Sequence, residues 1–199
     1  MAADDLLELT VADAAAWRTW LHHHEDSTGV WLVLAKKGTT EPTRLTYQPA
    51  LEEALCFGWI DGQRGRRDET TFRQRFTPRR PRSPWSKRNV GIADQLIRED
   101  RMRPVGIVEV ERAKADGRWE AAYQGQARIE VPADLAAALS AQPGAQAMFE
   151  ILSSQNRYAI LFRIHGAKRT DTRARCIAQF VDMLARGETV HPQKRQLQD

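Results

Sequence analysis

A run of six apolar residues, 30–35, is the feature that most constrains what this chain can fold into. The run includes β-branched and aromatic side chains, follows Gly29 and ends at the polar sequence Lys36-Lys37-Gly38. A short apolar segment between turn residues is typical of a buried β-strand. We therefore expect the chain to build a sheet that contains this strand.

A second strand is predicted where residues 72–76 alternate between two kinds of side chain. Because successive side chains of a strand point to opposite faces, Phe72, Gln74 and Phe76 share one face and the two arginines between them share the other. This pattern predicts a core face and a basic outer face. Residues 59–61 are predicted as a further short strand, followed by a polar connection that contains glycine.

Helix-end signals and the helical spacing of apolar residues predict helices in most of the remaining chain. In the first half these signals are a Thr10–Asp13 capping box for a helix over residues 11–24, the N-cap residues Thr46 and Ser86, and Pro104. In the second half, proline and glycine divide the chain into four helices, predicted over residues 132–140, 143–152, 156–167 and 170–186.

These elements predict an α+β fold that is predominantly helical, with a small antiparallel or mixed sheet and a C-terminal helical module. We expect residues 1–131 to form the α+β region and residues 132–187 the helical module, packed together as one domain. Residues 188–199 are polar and carry no helix signal, so they are predicted to be a mobile tail. The length of 199 residues and the hydrophobic fraction of 42% suit such a domain with a real core.

Positive charge is concentrated in one segment of the chain. Residues 64–88 contain ten Lys and Arg and two acids, a net charge of +8, whereas the whole chain carries +4 and the remainder therefore −4. Such polarisation indicates either an anionic partner or internal pairing with the acidic remainder. Nonspecific binding of nucleic acid fits a basic surface, but no helix-turn-helix, zinc-finger, RNA-recognition or KH motif is found.

Part of this segment, the basic loop of residues 79–86, has the composition of an anion-binding site. Prolines stiffen it, arginine forks match phosphate and carboxylate geometry, and Ser86 begins a helix whose free N–H groups attract anions. The predicted ligand-binding residues are Arg79, Arg80, Arg82, Trp85, Ser86 and Asn89, with Trp85 only partly buried. The alternative is that the arginines pair with acids such as Glu52, Glu53 and Asp61 and cover the core with their aliphatic stems.

The sequence Gly58-Trp59-Ile60-Asp61-Gly62 contains a candidate catalytic residue. Glycines beside an aromatic and an acidic residue permit tight turns, and Asp61 at such a turn can act as a base or orient an arginine. The alternative is a structural turn in which Trp59 is part of the core and Asp61 pairs with a basic neighbour. No nucleophile motif and no glycine-rich nucleotide-binding motif accompanies it.

Metal, cofactor and membrane functions lack support in the sequence. Three adjacent histidines, 22–24, cannot converge on one ion from a helix, and Cys56 and Cys176 form no CxxC pair, so we expect no metal and no cofactor. No stretch approaches the roughly 20 apolar residues that cross a bilayer. The first residues lack the basic and apolar regions of a signal peptide, so we expect a cytoplasmic protein without a transmembrane segment.

Six motifs carry a family resemblance: residues 54–62, 75–80, 83–89, 106–119, 156–158 and 167–175. In their order and composition the chain resembles the YdeI/OmpD-associated, or bacteriocin-protection, family. The family name implies protection against bacteriocins or cationic antimicrobial peptides and an association with the cell envelope. The resemblance supplies no catalytic residues.

The favoured hypothesis is a bacterial stress or antimicrobial-peptide protection protein that binds an anionic ligand at the basic loop. The sequence does not choose between a phosphorylated small molecule, a lipid head group and a nucleic acid as that ligand. One alternative is a small cofactor-independent enzyme that acts on an anionic substrate with Asp61 as its acid or base. Another is a partner-binding module without a small-molecule site. A concave pocket lined by Asp61, Trp85 and several arginines is expected of the first two but not of the third.

Overall fold

The computed structural model describes residues 6–125 and 129–196, and the chain divides into two compact units. The first unit covers residues 1–122 and the second covers residues 123–199. The described residues contain eight helices and one four-stranded mixed sheet. The predicted α+β class, predominantly helical with a small sheet, is therefore confirmed.

The first unit contains this sheet and four of the helices. In chain order its elements are β1 (Glu8–Leu9), α1 (Ala14–His23), β2 (Val30–Ala35), α2 (Tyr47–Cys56), β3 (Trp59–Arg66), β4 (Thr71–Pro78), α3 (Lys87–Arg98) and α4 (Pro104–Ala115). The strand order is β1-β2-β4-β3, with β1 parallel to β2 and the other pairs antiparallel. The β3–β4 hairpin therefore lies at one edge of the sheet, and it carries half of the cationic side chains of the basic segment.

Strands β2 and β4 form where the apolar and alternating patterns predicted them. All six residues of β2 are buried, and its bounds are those predicted. In β4, Phe72, Gln74 and Phe76 are buried, whereas Arg73 and Arg75 are partly exposed. The prediction of one core face and one basic face is confirmed.

Strand β3 is longer than predicted, because the glycine-containing stretch after Asp61 continues the strand. Gly65 pairs with Arg73 of β4, and a Cβ atom on Gly65 would lie 2.8 Å from Nε of that arginine. The glycine thus leaves room for the arginine side chain beside the strand, and a register irregularity lies between Asp61 and Arg64. Glycine weakens the sequence signal for a strand, so the prediction of a polar connection here was wrong.

The N-terminal segment differs from the prediction in two ways. Helix α1 begins at Ala14 because Asp13, not Thr10, is its N-cap: the Asp13 side chain accepts a hydrogen bond from the backbone N–H of Ala16 at 3.0 Å. Strand β1 was not predicted, since a strand of two residues shows no periodic pattern.

Aromatic side chains join the helices to the sheet in the first unit. Trp17 of α1, Trp59 of β3 and Phe76 of β4 are all buried. The ring centroid of Trp17 lies 6.1 Å from that of Trp59 and 5.9 Å from that of Phe76. The indole Nε1 of Trp17 also donates to the carbonyl oxygen of Ala50 in α2 at 3.1 Å. This aromatic cluster fixes the end of the hairpin at which β3 begins.

The second unit consists of four helices around a core of its own. They are α5 (Ala133–Ser140), α6 (Pro143–Glu150), α7 (Ser154–Gly166) and α8 (Thr170–Ala185), each within two residues of the predicted bounds. The buried Asn156 of α7 binds residues that follow α8: its Nδ2 donates to the carbonyl oxygen of His191 and to Oε1 of Gln193, both at 2.9 Å. Its Oδ1 accepts from the backbone N–H of His191 at 2.7 Å.

Replacing Trp59 by alanine should lower the free energy of unfolding by about 3–5 kcal/mol, because it opens a cavity in the aromatic cluster. The control is Val108→Ala on the exposed side of α4, where Val108 is 53% exposed, and it should change that free energy by less than about 0.5 kcal/mol. Urea denaturation followed by circular dichroism measures both. A loss no larger than that of the control would contradict the central position of Trp59.

Two helices offer a matched comparison of N-cap residues. The Ser86 side chain accepts from the backbone N–H of Asn89 at 3.1 Å, whereas the Thr46 side chain makes no capping hydrogen bond. Ser86→Ala should therefore cost about 0.5–2 kcal/mol of stability. Thr46→Ala should cost clearly less in the same denaturation experiment, and equal losses would show that the difference in capping has no energetic consequence.

Candidate functional site

The basic loop is held to the sheet by its first arginine. The backbone N–H of Arg79 donates to the carbonyl oxygen of Gly58 at 3.0 Å, and Cζ of Arg79 lies 3.5 Å from the centroid of the Trp85 ring. Arg79 is 6% exposed and Trp85 2% exposed. The expectation that Trp85 is partly buried was wrong, because the guanidinium of Arg79 covers its ring and Trp119 packs against it at a centroid distance of 4.8 Å.

The other predicted ligand-binding residues do not share one environment. Arg80 and Arg82 are exposed, and neither forms an ion pair with any residue that the structure describes. The hydroxyl oxygen of Ser86 accepts a capping hydrogen bond at the N-terminus of α3, and Asn89 is buried in the first turn of that helix. The six predicted residues therefore divide between the interior and the surface of the first unit.

Asp61 holds β3 to α2. Its Oδ2 accepts a hydrogen bond from the hydroxyl of Tyr47 at 2.7 Å. Burial, followed by the hydrogen bond to Asp61, raises the pKa of Tyr47 to about 12, so the phenol keeps its proton at neutral pH. The guanidinium of Arg88 completes the cluster, with Nη1 at 3.4 Å from the Tyr47 hydroxyl and Cζ 5.1 Å from the ring centroid. The Asp61 carboxylate is thus engaged by a phenol rather than by the basic loop.

A cavity of about 190 Å³ lies where the motif segments of residues 54–62 and 75–80 meet, and we call it the motif pocket. Its walls include Gly58 and Trp59 of one motif, Arg79 of the other, Val105 and Glu109 of α4, and Glu25 after α1. The hydrogen bond between Arg79 and Gly58 holds the two motif segments side by side. Both segments are recognisable as motifs in the sequence, but the sequence does not predict that they line one cavity.

Two glycines bring α4 close enough to close the motif pocket. A Cβ atom on Gly106 would lie 2.3 Å from the carbonyl oxygen of Cys56, so only glycine permits this approach of α4 to the end of α2. Gly58 has a φ of +72°, and a Cβ atom there would lie 3.2 Å from the carbonyl oxygen of Val105. The contact places Glu109, one turn further along α4, in the pocket wall.

A second cavity, of about 440 Å³, lies near the turn of the β3–β4 hairpin, and we call it the basic groove. It is lined by Lys36, Arg64, Gly65, Arg66, Thr71 and Phe72, so its wall holds three cationic side chains and no carboxylate. Cζ of Arg64 lies 4.0 Å from the centroid of the Phe72 ring. Neither Arg64 nor Arg66 forms an ion pair with a described residue.

Asp68, an acid of the hairpin turn beside the basic groove, directs its carboxylate into the hydrogen bonds of that turn. Its carboxylate accepts from the backbone N–H of Thr70 at 2.9 Å and from the backbone N–H and hydroxyl of Thr71 at 2.7 and 2.6 Å. These hydrogen bonds, above all those from Thr71, hold the pKa of Asp68 well below its usual range. Lys36 donates to the backbone oxygens of Asp68 and Glu69, so this cation is held at the groove by neutral acceptors.

Sequence reasoning missed the residues that complete both cavities. Arg64 and Arg66 were counted in the basic segment, but Lys36 lies on the other side of α2 in the sequence and only the pairing of β2 with β4 brings it near them. Glu109 lies on α4 and Glu25 in the turn after α1, and the sequence around each is that of an ordinary surface acid. No local signal identifies such residues, because their positions depend on tertiary contacts.

The described part of the chain contains neither a metal-binding cluster nor a membrane-spanning helix. In residues 6–125 and 129–196 no group of three or more His, Cys, Asp or Glu side chains is arranged to hold a metal ion. Within the same ranges no helix combines the length and the apolar character needed to cross a membrane.

Asp68→Asn should make the hairpin less stable at neutral pH than at acidic pH relative to the unchanged protein. The pKa of Asp68 is lower in the folded than in the unfolded chain, so its stabilisation is present above the unfolded value of about 4 and is lost as pH falls through the folded value. Thermal unfolding at pH 7 and at pH 3 should therefore show a gap between the two proteins that narrows in acid.

Glu69→Gln is the control for this experiment, because it removes the same charge next to Asp68 while Glu69 contributes only its backbone oxygen to Lys36. It should leave the unfolding temperature nearly unchanged at pH 7. A gap for Asp68→Asn that does not depend on pH would contradict the assigned role of the carboxylate.

Two family models match the chain, and the boundary between the two structural units, after residue 122, lies between the two matched ranges. Residues 9–109 match the family model described as a domain of unknown function (DUF8412), and residues 128–187 match the model described as bacteriocin-protection, YdeI or OmpD-associated. No curated protein and no solved structure gives a significant match. The chain therefore belongs to the DUF8412 family, and its C-terminal helical segment is similar to the bacteriocin-protection, YdeI or OmpD-associated family.

Proposed function

We propose that the protein serves in protection against bacteriocins or related antimicrobial stress by binding an anionic, phosphate-bearing ligand in the basic groove. The protective role is supported by the description of the family that residues 128–187 match. The binding role is supported by one observation: three cationic side chains, Lys36, Arg64 and Arg66, line a concave space whose wall contains no carboxylate.

The stacking of Arg64 on Phe72 favours an anion over a purely solvated surface. The aromatic ring holds the guanidinium in a fixed plane, so less conformational freedom is lost when its N–H groups bind a ligand. A planar guanidinium donates two parallel hydrogen bonds to a phosphate or carboxylate. Arg64 is thus suited to be the orienting contact, with Arg66 supplying further charge.

The groove also keeps its positive potential when the protein is folded. The charge of Asp68 is directed into the hydrogen bonds of the turn, and Lys36 is held by backbone oxygens rather than by a carboxylate. The Arg64 and Arg66 guanidinium groups have no described ion-pair partner to displace. An entering anion therefore need not break an internal salt bridge to bind.

The exposed arginines of the basic loop, Arg80 and Arg82, form a second cationic surface. This surface is an alternative site for anion binding, so an experiment has to distinguish it from the groove. They are free of described ion pairs, as Arg64 and Arg66 are, but neither lines the groove. A diffuse basic face binds polyanions such as nucleic acid through release of counterions, with an affinity that falls steeply with salt. In a formed groove the anion is bound by a few oriented contacts, and salt screens these contacts less.

The double variant Arg64→Ala/Arg66→Ala should weaken binding of inorganic pyrophosphate about tenfold or more, because each charge-assisted hydrogen bond is worth about 1.5–3 kcal/mol. The matched control is Arg80→Ala/Arg82→Ala, which removes the same charge from the exposed loop and should change the affinity little. Isothermal titration calorimetry at low and at high salt measures both.

Three results would overturn the assignment. Loss of affinity in the loop variant alone would move the site to the basic loop. Equal losses in both variants that follow ionic strength would indicate a nonspecific basic face. An oligonucleotide, either heteroduplex or single-stranded, is a further probe. If both variants bind it far more tightly than they bind pyrophosphate, the result would likewise favour a polyanion surface.

A further inference from the structure

Arg64 gives the basic groove a flat surface on which the ring of a ligand can stack. Its Cζ lies 4.0 Å from the centroid of the Phe72 ring, and Phe72 is a core residue that is 8% exposed, so the support beneath the guanidinium is fixed. Arg64 itself is exposed and lines the groove, which leaves the guanidinium face opposite the Phe72 ring accessible to a ligand. Guanidinium planes stack on nucleic-acid bases as aromatic side chains do.

The other two cations of the groove are placed to bind phosphate groups next to such a ring. Arg66 follows Arg64 by two residues in β3, so both side chains leave the strand on the same side. The ammonium group of Lys36 is held in the groove wall by the backbone oxygens of Asp68 and Glu69, at 2.7 and 3.1 Å. A ligand whose ring lies on Arg64 therefore finds two further cations in the same groove.

The size and the walls of the groove favour a nucleotide over a lipid head group. The volume of about 440 Å³ lies within the range of about 300–1,000 Å³ that is typical of small-molecule sites, so a ring fits beside the phosphate groups. Phe72 is the one large apolar side chain among the lining residues, and Arg64 covers its ring. An acyl chain is stabilised by contact with apolar surface, and these walls offer it little.

The charges beside the groove favour a single nucleotide over a nucleic-acid strand. Arg67 and Arg73 neighbour the groove in the hairpin, but both are neutralised by acids. Arg67 pairs with Glu8 at 2.9 Å and with Asp68, and Arg73 lies 3.9 Å from Glu8. A strand of nucleic acid binds along a continuous cationic track, whereas one nucleotide needs only the cations of the groove itself.

We propose that the ligand of the basic groove is a single nucleotide that carries a terminal diphosphate. Its base stacks on the open face of Arg64, and its phosphate groups bind Arg66 and Lys36. This inference rests on the proposed function, because it names the class of phosphate-bearing ligand that the same groove selects.

Two probes separate recognition of the base from recognition of the phosphate groups. One is ADP, and the other is methyl diphosphate, which carries the same diphosphate group without a nucleoside. Isothermal titration calorimetry on the full-length protein measures the affinity for each in the same buffer. ADP should bind about tenfold more tightly than methyl diphosphate, because the stacking of one base is worth a factor of about that size.

Arg64→Lys tests the stacked contact, because it keeps the charge and removes the planar guanidinium. It should reduce the preference for ADP over methyl diphosphate from about tenfold to about one. The matched control is Arg66→Lys, the same substitution two residues along β3, where the arginine is assigned to the phosphate groups. It should weaken both ligands alike, so the preference for ADP should persist. Circular dichroism establishes that both variants are folded before they are titrated.

Equal affinities for ADP and methyl diphosphate in the unchanged protein would refute nucleotide recognition and leave anion binding at the groove intact. If neither ligand binds, the proposed function itself fails. The stacking on Arg64 is wrong if Arg64→Lys keeps the preference for ADP, or if Arg66→Lys loses it to the same extent. An oligoadenylate without a terminal phosphate that binds more tightly than ADP would show that the ligand is a nucleic-acid strand, which also contradicts the proposal.

Discussion

Burial of Trp59 is the interaction on which the geometry of both cavities depends. This side chain starts β3 and packs edge-on against Trp17 and Trp20 of α1, at centroid distances of 6.1 and 6.0 Å. Its backbone pairs with Pro78 at the end of β4, so the same contact that fills the core also fixes the register of the hairpin. Once this end is fixed, Gly58 and Arg79 lie side by side at the motif pocket, and the turn of the hairpin is carried to the far end of the strands.

The hairpin separates the basic groove at its turn from the motif pocket at its other end. The eight residues from Trp59 to Arg66 span roughly 23 Å at about 3.3 Å per residue, which is more than a Debye length of about 8 Å at physiological ionic strength. Cationic side chains collect at the turn, where the Asp68 carboxylate stays ionised and is held by Thr71 and Arg67. At the other end α4 brings in the Glu109 carboxylate, and Arg79 lines the same pocket. The net charge of the chain therefore describes neither region.

Local sequence patterns predicted the elements of the fold but not the contents of the cavities. The apolar run of β2, the alternation in β4 and the Ser86 N-cap are each determined by neighbours in the chain, and each was found where it was predicted. The glycine-rich half of β3 was missed because Gly65 is required by a residue of the opposite strand, Arg73, rather than by its own neighbours.

The residues of the candidate site were also hard to predict, because their positions depend on contacts between distant parts of the chain. Arg79 was predicted as a ligand contact because arginine forks in a stiff loop match anions, and Trp85 was predicted to be only partly buried. The two side chains instead bury each other through a stacked contact. Lys36 and Glu109 complete the basic groove and the motif pocket from distant parts of the sequence, and their own neighbours give no reason to select them. Composition located the basic segment, whereas the choice of residues within it depended on tertiary packing.

The most direct test of anion binding at the basic groove is a map of backbone amide shifts as pyrophosphate is added to the ¹⁵N-labelled protein. The expected result is a set of saturable shifts centred on Gly65, Arg66 and Thr71, three residues that line the groove. Shifts centred instead on residues 79–89, or spread evenly over every basic surface and abolished by salt, would contradict the assignment of the anion site to the β3–β4 hairpin.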